Sequence, residues 1–173
     1  GFEQMQPGAL KSHWDDRPAP TARFIDAMQA HQGYDPAAPR AAQFFGGAGR
    51  DYMRQYGIAP ETFGRIAVKA RQHAARNPLA VFRQPLTLEE VMASSTVWGP
   101  LTRFQCCPPT CGAAAAIVCS AEFARRHGLD MRVRIAAQAM TTDTASTFDS
   151  QDMRKLVGYD MARAAAAQVY EQA

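Results

Sequence analysis

Apolar and polar positions along this chain alternate at helical spacing in its first two thirds and at strand-like spacing further on. After Pro60, Phe63, Ile66, Ala67, Ala70 and Ala74 recur on one helix face, and Arg65, Lys69, Gln72, His73 and Arg76 line another, until Asn77-Pro78 ends the run. Upstream, residues 41–56 read as a helix interrupted by Gly46-Gly47-Ala48-Gly49, with Gly57 placed where a left-handed C-cap belongs. A shorter helix is expected over 21–31, closed by Gly33. It lies inside a surface excursion over 6–40 that is broken by Asp15-Asp16-Arg17-Pro18 and Asp35-Pro36-Ala37-Ala38-Pro39. Thr87-Leu88-Glu89-Glu90 has the pattern of a capping box and starts a helix that runs through Ser94.

The pattern changes at Cys111. Gln105-Cys106-Cys107-Pro108-Pro109-Thr110-Cys111-Gly112 is a Pro-locked polar turn, and it feeds the wholly apolar run 113–119, which predicts a strand covered on both faces with Cys119 in the core. Ser120 is placed to cap a helix that stops at Gly128, with Arg125, Arg126 and His127 in its last turn, where cations suit the helix dipole. Over 131–139, Val133, Ile135 and Ala137 alternate with Arg132, Arg134 and Gln138, the period of a half-buried strand. A Thr/Ser/Asp loop is expected over 141–152, and Asp160 as the cap of a last helix over 161–170. The reading is a mixed α/β chain without internal repeats. Two strands are few for such a chain, so further sheet is expected from sequence beyond this stretch.

Composition narrows the classes. The 173 residues are 47% hydrophobic and 20% charged, which is ordinary for a globular protein. A net charge of +3, from 19 Lys plus Arg against 16 Asp plus Glu, gives no case for nucleic acid or an anionic membrane. No apolar run is long enough to span a bilayer and no basic-then-apolar leader opens the chain, which begins at Gly1 without an initiator Met. A soluble piece of something longer is expected. The four cysteines all fall within 106–119, a poor framework for stapling a fold of this size, and imply a reducing, cytoplasmic setting.

Candidate chemistry is thin. Adjacent Cys106 and Cys107 do not suit one tetrahedral zinc ion, no C-x-x-C pair exists, and His127 lies beyond a strand and a helix, so no metal is expected. A nucleophilic cysteine needs a base, a cation or a helix N-terminus; Arg103 is near in sequence, but no Cys/His pair is signalled. The glycines after Phe44-Phe45 follow no strand and lack phosphate-loop spacing, so close helix packing explains them better. The stripe of Arg65, Lys69, His73 and Arg76 is either a solvated helix face or a cradle for an anionic ligand carrying several phosphates.

In order along the chain, Gly1-Phe2-Glu3-Gln4-Met5, Asp16-Arg17-Pro18, Gln43-Phe44-Phe45-Gly46, Tyr56-Gly57, Asn77-Pro78, Leu88-Glu89-Glu90-Val91-Met92-Ala93-Ser94, Gln105-Cys106-Cys107-Pro108, Gly112-Ala113-Ala114-Ala115-Ala116 and Val157-Gly158-Tyr159-Asp160-Met161 resemble the thiolases of the sterol carrier protein type. The resemblance spans essentially the whole chain and is that of an internal stretch. It implies a partial thiolase-like α/β fold with a mostly helical inserted loop domain. The implied division is 1–100, the end of a core strand plus the loop domain; 101–128, the last strand and helix of the first core half; and 129–173, the start of the second half. It also implies an acyltransferase that cleaves or forms 3-oxoacyl-CoA through a cysteine-bound acyl group, with coenzyme A as substrate and a homo-oligomeric full-length protein, peroxisomal if eukaryotic. No catalytic residue of the family falls within the chain. Carried over by position, Phe45 and Gly46 would lie near the acyl group, Cys106, Cys107 and Pro108 near pantetheine, and Arg83 or the Arg65 and Lys69 stripe near the phosphates. Cys111 stands where the family usually has aspartate, a departure that bears on local hydrogen bonding. The alternatives are a non-catalytic acyl-CoA or lipid-binding module, an aldolase-type relative on the same fold working as a partner subunit, and a scaffold surface.

Overall fold

Helices α1 (Ala22–Gln32), α2 (Arg40–Tyr56) and α3 (Glu61–Ala74) carry the first half of the chain in a computed structural model that describes residues 1–8 and 15–173. Part of the excursion expected over 6–40 therefore lies outside the described residues. Helix α2 starts behind Pro39 and stops at Gly57, whose φ of 62° is the left-handed cap read from the sequence. The expected interruption is absent, and α2 runs unbroken through its glycines. Gly46 shows why they are there: a Cβ on it would stand 2.7 Å from Trp98 Cδ1 and 2.9 Å from the Trp98 carbonyl oxygen. Glycine is what lets helix and strand approach this closely, and the contact outweighs its poor helix propensity.

Helix α4 (Leu88–Ala93) begins with the predicted capping box: Thr87 Oγ1 accepts from Glu90 N at 3.1 Å, and Thr87 N donates to Glu90 Oε2 at 2.7 Å. A small antiparallel ribbon follows, β2 (Thr96–Trp98) and β3 (Leu101–Thr102), turning at Gly99-Pro100 and leading into a 3-10 turn over Arg103–Gln105. Val91 of α4 is fully buried, and its carbonyl accepts from Thr102 Oγ1 at 2.8 Å, tying the ribbon to the helix.

The main core joins α1 and α2 to α7 (Met153–Leu156), a single turn that packs more extensively on α2 than any other pair of elements. Met28, Ala48, Met153 and Leu156 form its buried centre, with Phe24 edge-on to Phe44 and to Phe148 around it. Asp51 pins the three helices together. Its Oδ2 accepts from Met153 N at 2.9 Å and lies 3.1 Å from His31 Nε2, and its Oδ1 takes Arg54 Nη2 at 2.8 Å. Gln43, fully buried, shapes the α1–α2 connection by accepting from Asp35 N and donating to the carbonyls of Asp35 and Ala38.

The later elements depart most from expectation. The stretch 141–152, read as a loop, contains α6 (Ala145–Asp149), and α7 was missed. Helix α8 (Tyr159–Gln172) is capped by Gly158 at φ 89°, not by Asp160, which sits in its first turn and pairs with Lys155 at 3.2 Å. Helix α5 (Ala121–Arg126) is capped as predicted, with Ser120 Oγ accepting from Phe123 N at 3.1 Å.

Neither predicted strand forms at its expected length. Beyond β4 (Gly112–Ala113), which pairs antiparallel with β1 (Phe2–Glu3) and extends by one exchange between Gly1 and Ala114, residues 115–119 make no backbone hydrogen bond. Residues 133–139 make none either. Ile117 and Val133 are 91% and 92% exposed, and Cys119 is exposed instead of in the core. A strand needs another segment to satisfy its amides and carbonyls, and no described residue supplies one here. The fold of the described residues is thus mixed, helical with two two-stranded sheets.

Candidate functional site

The site grows out of the way α3 meets α4. At Gly64 a Cβ would stand 2.7 Å from Met92 Sδ and 2.8 Å from Leu88 Cδ1, so α3 lies against α4 along its glycine side. That contact turns Phe63, Ile66, Ala70 and Ala74 away from α4. Ile66 is 62% exposed, so the apolar face read from the sequence is a groove wall and not a core face.

The connection from α3 to α4 turns at Asn77, whose Oδ1 accepts from Leu79 N at 3.0 Å and whose carbonyl accepts from Ala80 N at 3.1 Å. It then carries Val81, Phe82 and Arg83 past the groove. The facing wall is the 3-10 turn, fixed by Arg103 N donating to Ser95 O at 2.8 Å, Thr102 N donating to Gln105 Oε1 at 2.8 Å, and Cys106 N donating to Arg103 O at 3.2 Å.

Between these walls are two adjoining surface cavities. The larger, about 950 Å³, has Arg71, Arg83 and Arg103 around it with Val81 and Leu86. The smaller, about 510 Å³, runs along the apolar face of α3 to Leu101, Cys107 and Pro108. Arg71, Phe82, Phe104 and Cys106 border both. The Arg71 guanidinium lies 4.6 Å over the Phe82 ring, and that of Arg103 lies 6.0 Å from the Phe104 ring. None of the three cavity arginines ion-pairs with a described residue. Glu90 is the one carboxylate at the cavity, and its Oε2 is engaged in the α4 cap, so three positive charges face one negative. The arrangement suits an anionic group beside an apolar one.

Cys106 is not prepared as a nucleophile. Burial, and then the neighbouring Cys107, push its thiol above the ordinary range, which keeps it protonated. Among the described residues no group of three or more potential metal ligands comes together, and no helix is long and apolar enough to cross a membrane.

The site residues expected from sequence are divided by the structure. Arg83 and Cys106 share the larger cavity, and Cys106, Cys107 and Pro108 line the smaller. Arg65 and Lys69 stand exposed on α3 and border neither cavity. Phe45 and Gly46 lie on α2, Phe45 exposed and Gly46 pressed against Trp98, away from both. Arg71, Phe82 and Phe104 were missed, and Arg103 was noticed only as a neighbour of the cysteines. The available signal was Arg71, which stands on the seam between the apolar and basic faces of α3. Cys111 Sγ accepts from Met5 N at 3.4 Å, and a thiol is a weak acceptor.

No family model matches the chain. It is 43% identical over 173 residues to sterol carrier protein 2 of Rattus norvegicus, covering 99% of this chain and 31% of that protein. It is 32% identical to the non-specific lipid-transfer protein-like 2 of Caenorhabditis elegans, covering 99% of this chain and 43% of the relative. Over 70% of its length it is 35% identical to the benzoylsuccinyl-CoA thiolase subunit BbsB of Thauera aromatica, 30% of which is covered. The chain spans about a third of the length of the vertebrate relatives it matches. It is thus related, from end to end, to a segment of the sterol carrier protein 2 family.

Proposed function

We propose that this chain holds an acyl thioester of coenzyme A within a thiolase of the sterol carrier protein type, on a thiolase-like fold. The observation that carries the reading is the contiguity of an arginine-lined cavity with an apolar groove. An acyl-CoA has the matching order of parts: phosphates, a narrow pantetheine arm, then an apolar chain. Arg71, Arg83 and Arg103 would meet the phosphates, each charge-assisted contact being worth about 1.5–3 kcal/mol. The arm would pass Cys106, Cys107 and Pro108. In the full enzyme a cysteine outside this chain would attack the 3-oxo carbonyl of the substrate. The carbon–carbon bond then breaks, acetyl-CoA leaves, and the bound acyl group passes to free coenzyme A. This chain's part would be to bind and orient.

Calorimetric titration of the chain with octanoyl-CoA tests the reading. Saturable binding is expected, weakened about tenfold by Arg83→Glu or Arg103→Glu and unchanged by Arg65→Glu with Lys69→Glu. The reverse pattern would move the phosphates to the exposed α3 stripe. The second reading, a lipid-binding module without chemistry, takes its support from the lipid-transfer name of the C. elegans relative. Octanoic acid binding as tightly as octanoyl-CoA would favour it.

A further inference from the structure

Four residues border both cavities, and three of them are set by fixed elements: Arg71 by α3, Phe104 by the 3-10 turn, and Cys106 by its hydrogen bond to Arg103. Phe82 differs. It lies on the α3–α4 connection, where residues 81–86 make no hydrogen bond with any described residue. Phe82 is 48% exposed, and its ring is held under the Arg71 guanidinium at 4.6 Å. At an exposed site such a contact is weak and gives way to a competitor.

From this we infer that Phe82, latched by Arg71, is a gate between the anion-holding cavity and the apolar groove. A ligand confined to the arginine cavity leaves the gate shut. A linear amphiphile that occupies both spaces runs across the border that Phe82 shares with Arg71, Phe104 and Cys106, and in this reading it displaces the Phe82 ring. Opening frees Arg71, whose guanidinium then turns from the aromatic face to the anionic end of the ligand. The ligand class is an anionic head joined to an apolar tail through an unbranched arm, and the gate discriminates it from the head alone. This inference rests on the acyl-thioester reading.

Stopped-flow association on the 173-residue chain tests it, with ADP as the head-only probe and octanoyl-CoA as the amphiphile. Phe82→Ala and Phe82→Leu should each speed octanoyl-CoA association about threefold to fivefold, the factor that one lost cation–π contact removes from an opening barrier. Phe82→Trp, a better partner for Arg71, should slow it. ADP association, which does not require crossing the border, should change less than octanoyl-CoA association across the series. Equal octanoyl-CoA rates across the series, with wild-type binding intact, overturn the gate alone. An equal change in the ADP rates also overturns it, since the substitution would then act on the head cavity alone. Failure of the wild-type chain to bind octanoyl-CoA saturably overturns the acyl-thioester reading and the gate with it.

Discussion

The α1–α2–α7 core and the stretch 112–140 are both rich in apolar residues, yet one is buried and the other lies open. Met28 and Met153 are fully buried, whereas Ile117, Val133 and Met140 are among the most exposed large hydrophobic residues described. A helix satisfies its own backbone and needs only one neighbour for its apolar stripe. A strand depends on other segments for its hydrogen bonds as well as for its cover. The contrast shows that apolar sequence is buried here only where the backbone is already satisfied.

The strongest way to break this contrast is truncation. Met153→Ala should cost about 2–5 kcal/mol in denaturant unfolding, as for other buried large-to-small changes. Ile117→Ala or Val133→Ala should stay within about 0.5 kcal/mol of wild type. Equal losses in both regions would mean that the open stretch is packed in solution.

Crowding one of the close approaches should have the next largest effect. Gly46→Val drives a branched side chain into the Trp98 carbonyl and should cost about 1–3 kcal/mol by thermal melting. Gly57, with no atom within 4 Å of an added Cβ, should tolerate Asn.

An acid titration sharpens the packed side. Arg154 donates from Nε and Nη2 to Asp152, and its guanidinium lies 5.6 Å from the Tyr56 ring centroid and 5.5 Å from that of Tyr159. The hydrogen bonds from Arg154 hold the Asp152 carboxyl below the usual range, although burial opposes them. A carboxyl depressed in the folded state stabilises fully above its unfolded value, about 3.9, and that stabilisation is lost as pH falls through the lower folded value. Asp152→Asn should therefore melt below wild type at neutral pH, and the gap should close as the medium is acidified below about pH 4. A gap that stays constant with pH would show that the carboxylate charge is not what matters there.

The smallest effect on stability is expected on the open side. Ile117→Lys with Val133→Lys should leave the melting temperature almost unchanged while reducing self-association in sedimentation velocity, because both residues are exposed hydrophobics.

Local signals were legible in the sequence, and signals that depend on distant partners were not. Gly57, the Thr87 capping box and the Ser120 cap form where they were expected, because each is decided within a few residues. Helix α7 left no mark, since Met153-Arg154-Lys155-Leu156 is one turn, too short to show a period, and its place is fixed by Met28, Ala48 and Asp51 far upstream. The apolar run 113–119 was read as a strand covered on both faces, and only Ala113 of it lies in one, because pairing depends on a neighbour that composition does not reveal. At the cavities, the Cys106–Pro108 turn was visible as a local motif, whereas Arg83 came from the family resemblance alone. Arg71 and Phe82 were not legible, because a cation–π contact between a helix and the connection after it is a product of the chain's path.

The hydrogen bond from Met153 to Asp51 spans 102 positions and makes everything from the end of α2 to the start of α7 one large loop tied at its base. Closing such a loop grows costlier only logarithmically with its length, by about 0.6 kcal/mol per doubling, so segments could be inserted within it at little expense to the knot. Its order of assembly is less forgiving. On the ribosome α1 and α2 would emerge early and wait with Met28 uncovered and Asp51 joined only to His31 and Arg54 until Met153 arrives. The helical core would therefore be completed late, after the arginine cavity and its groove have already been synthesised.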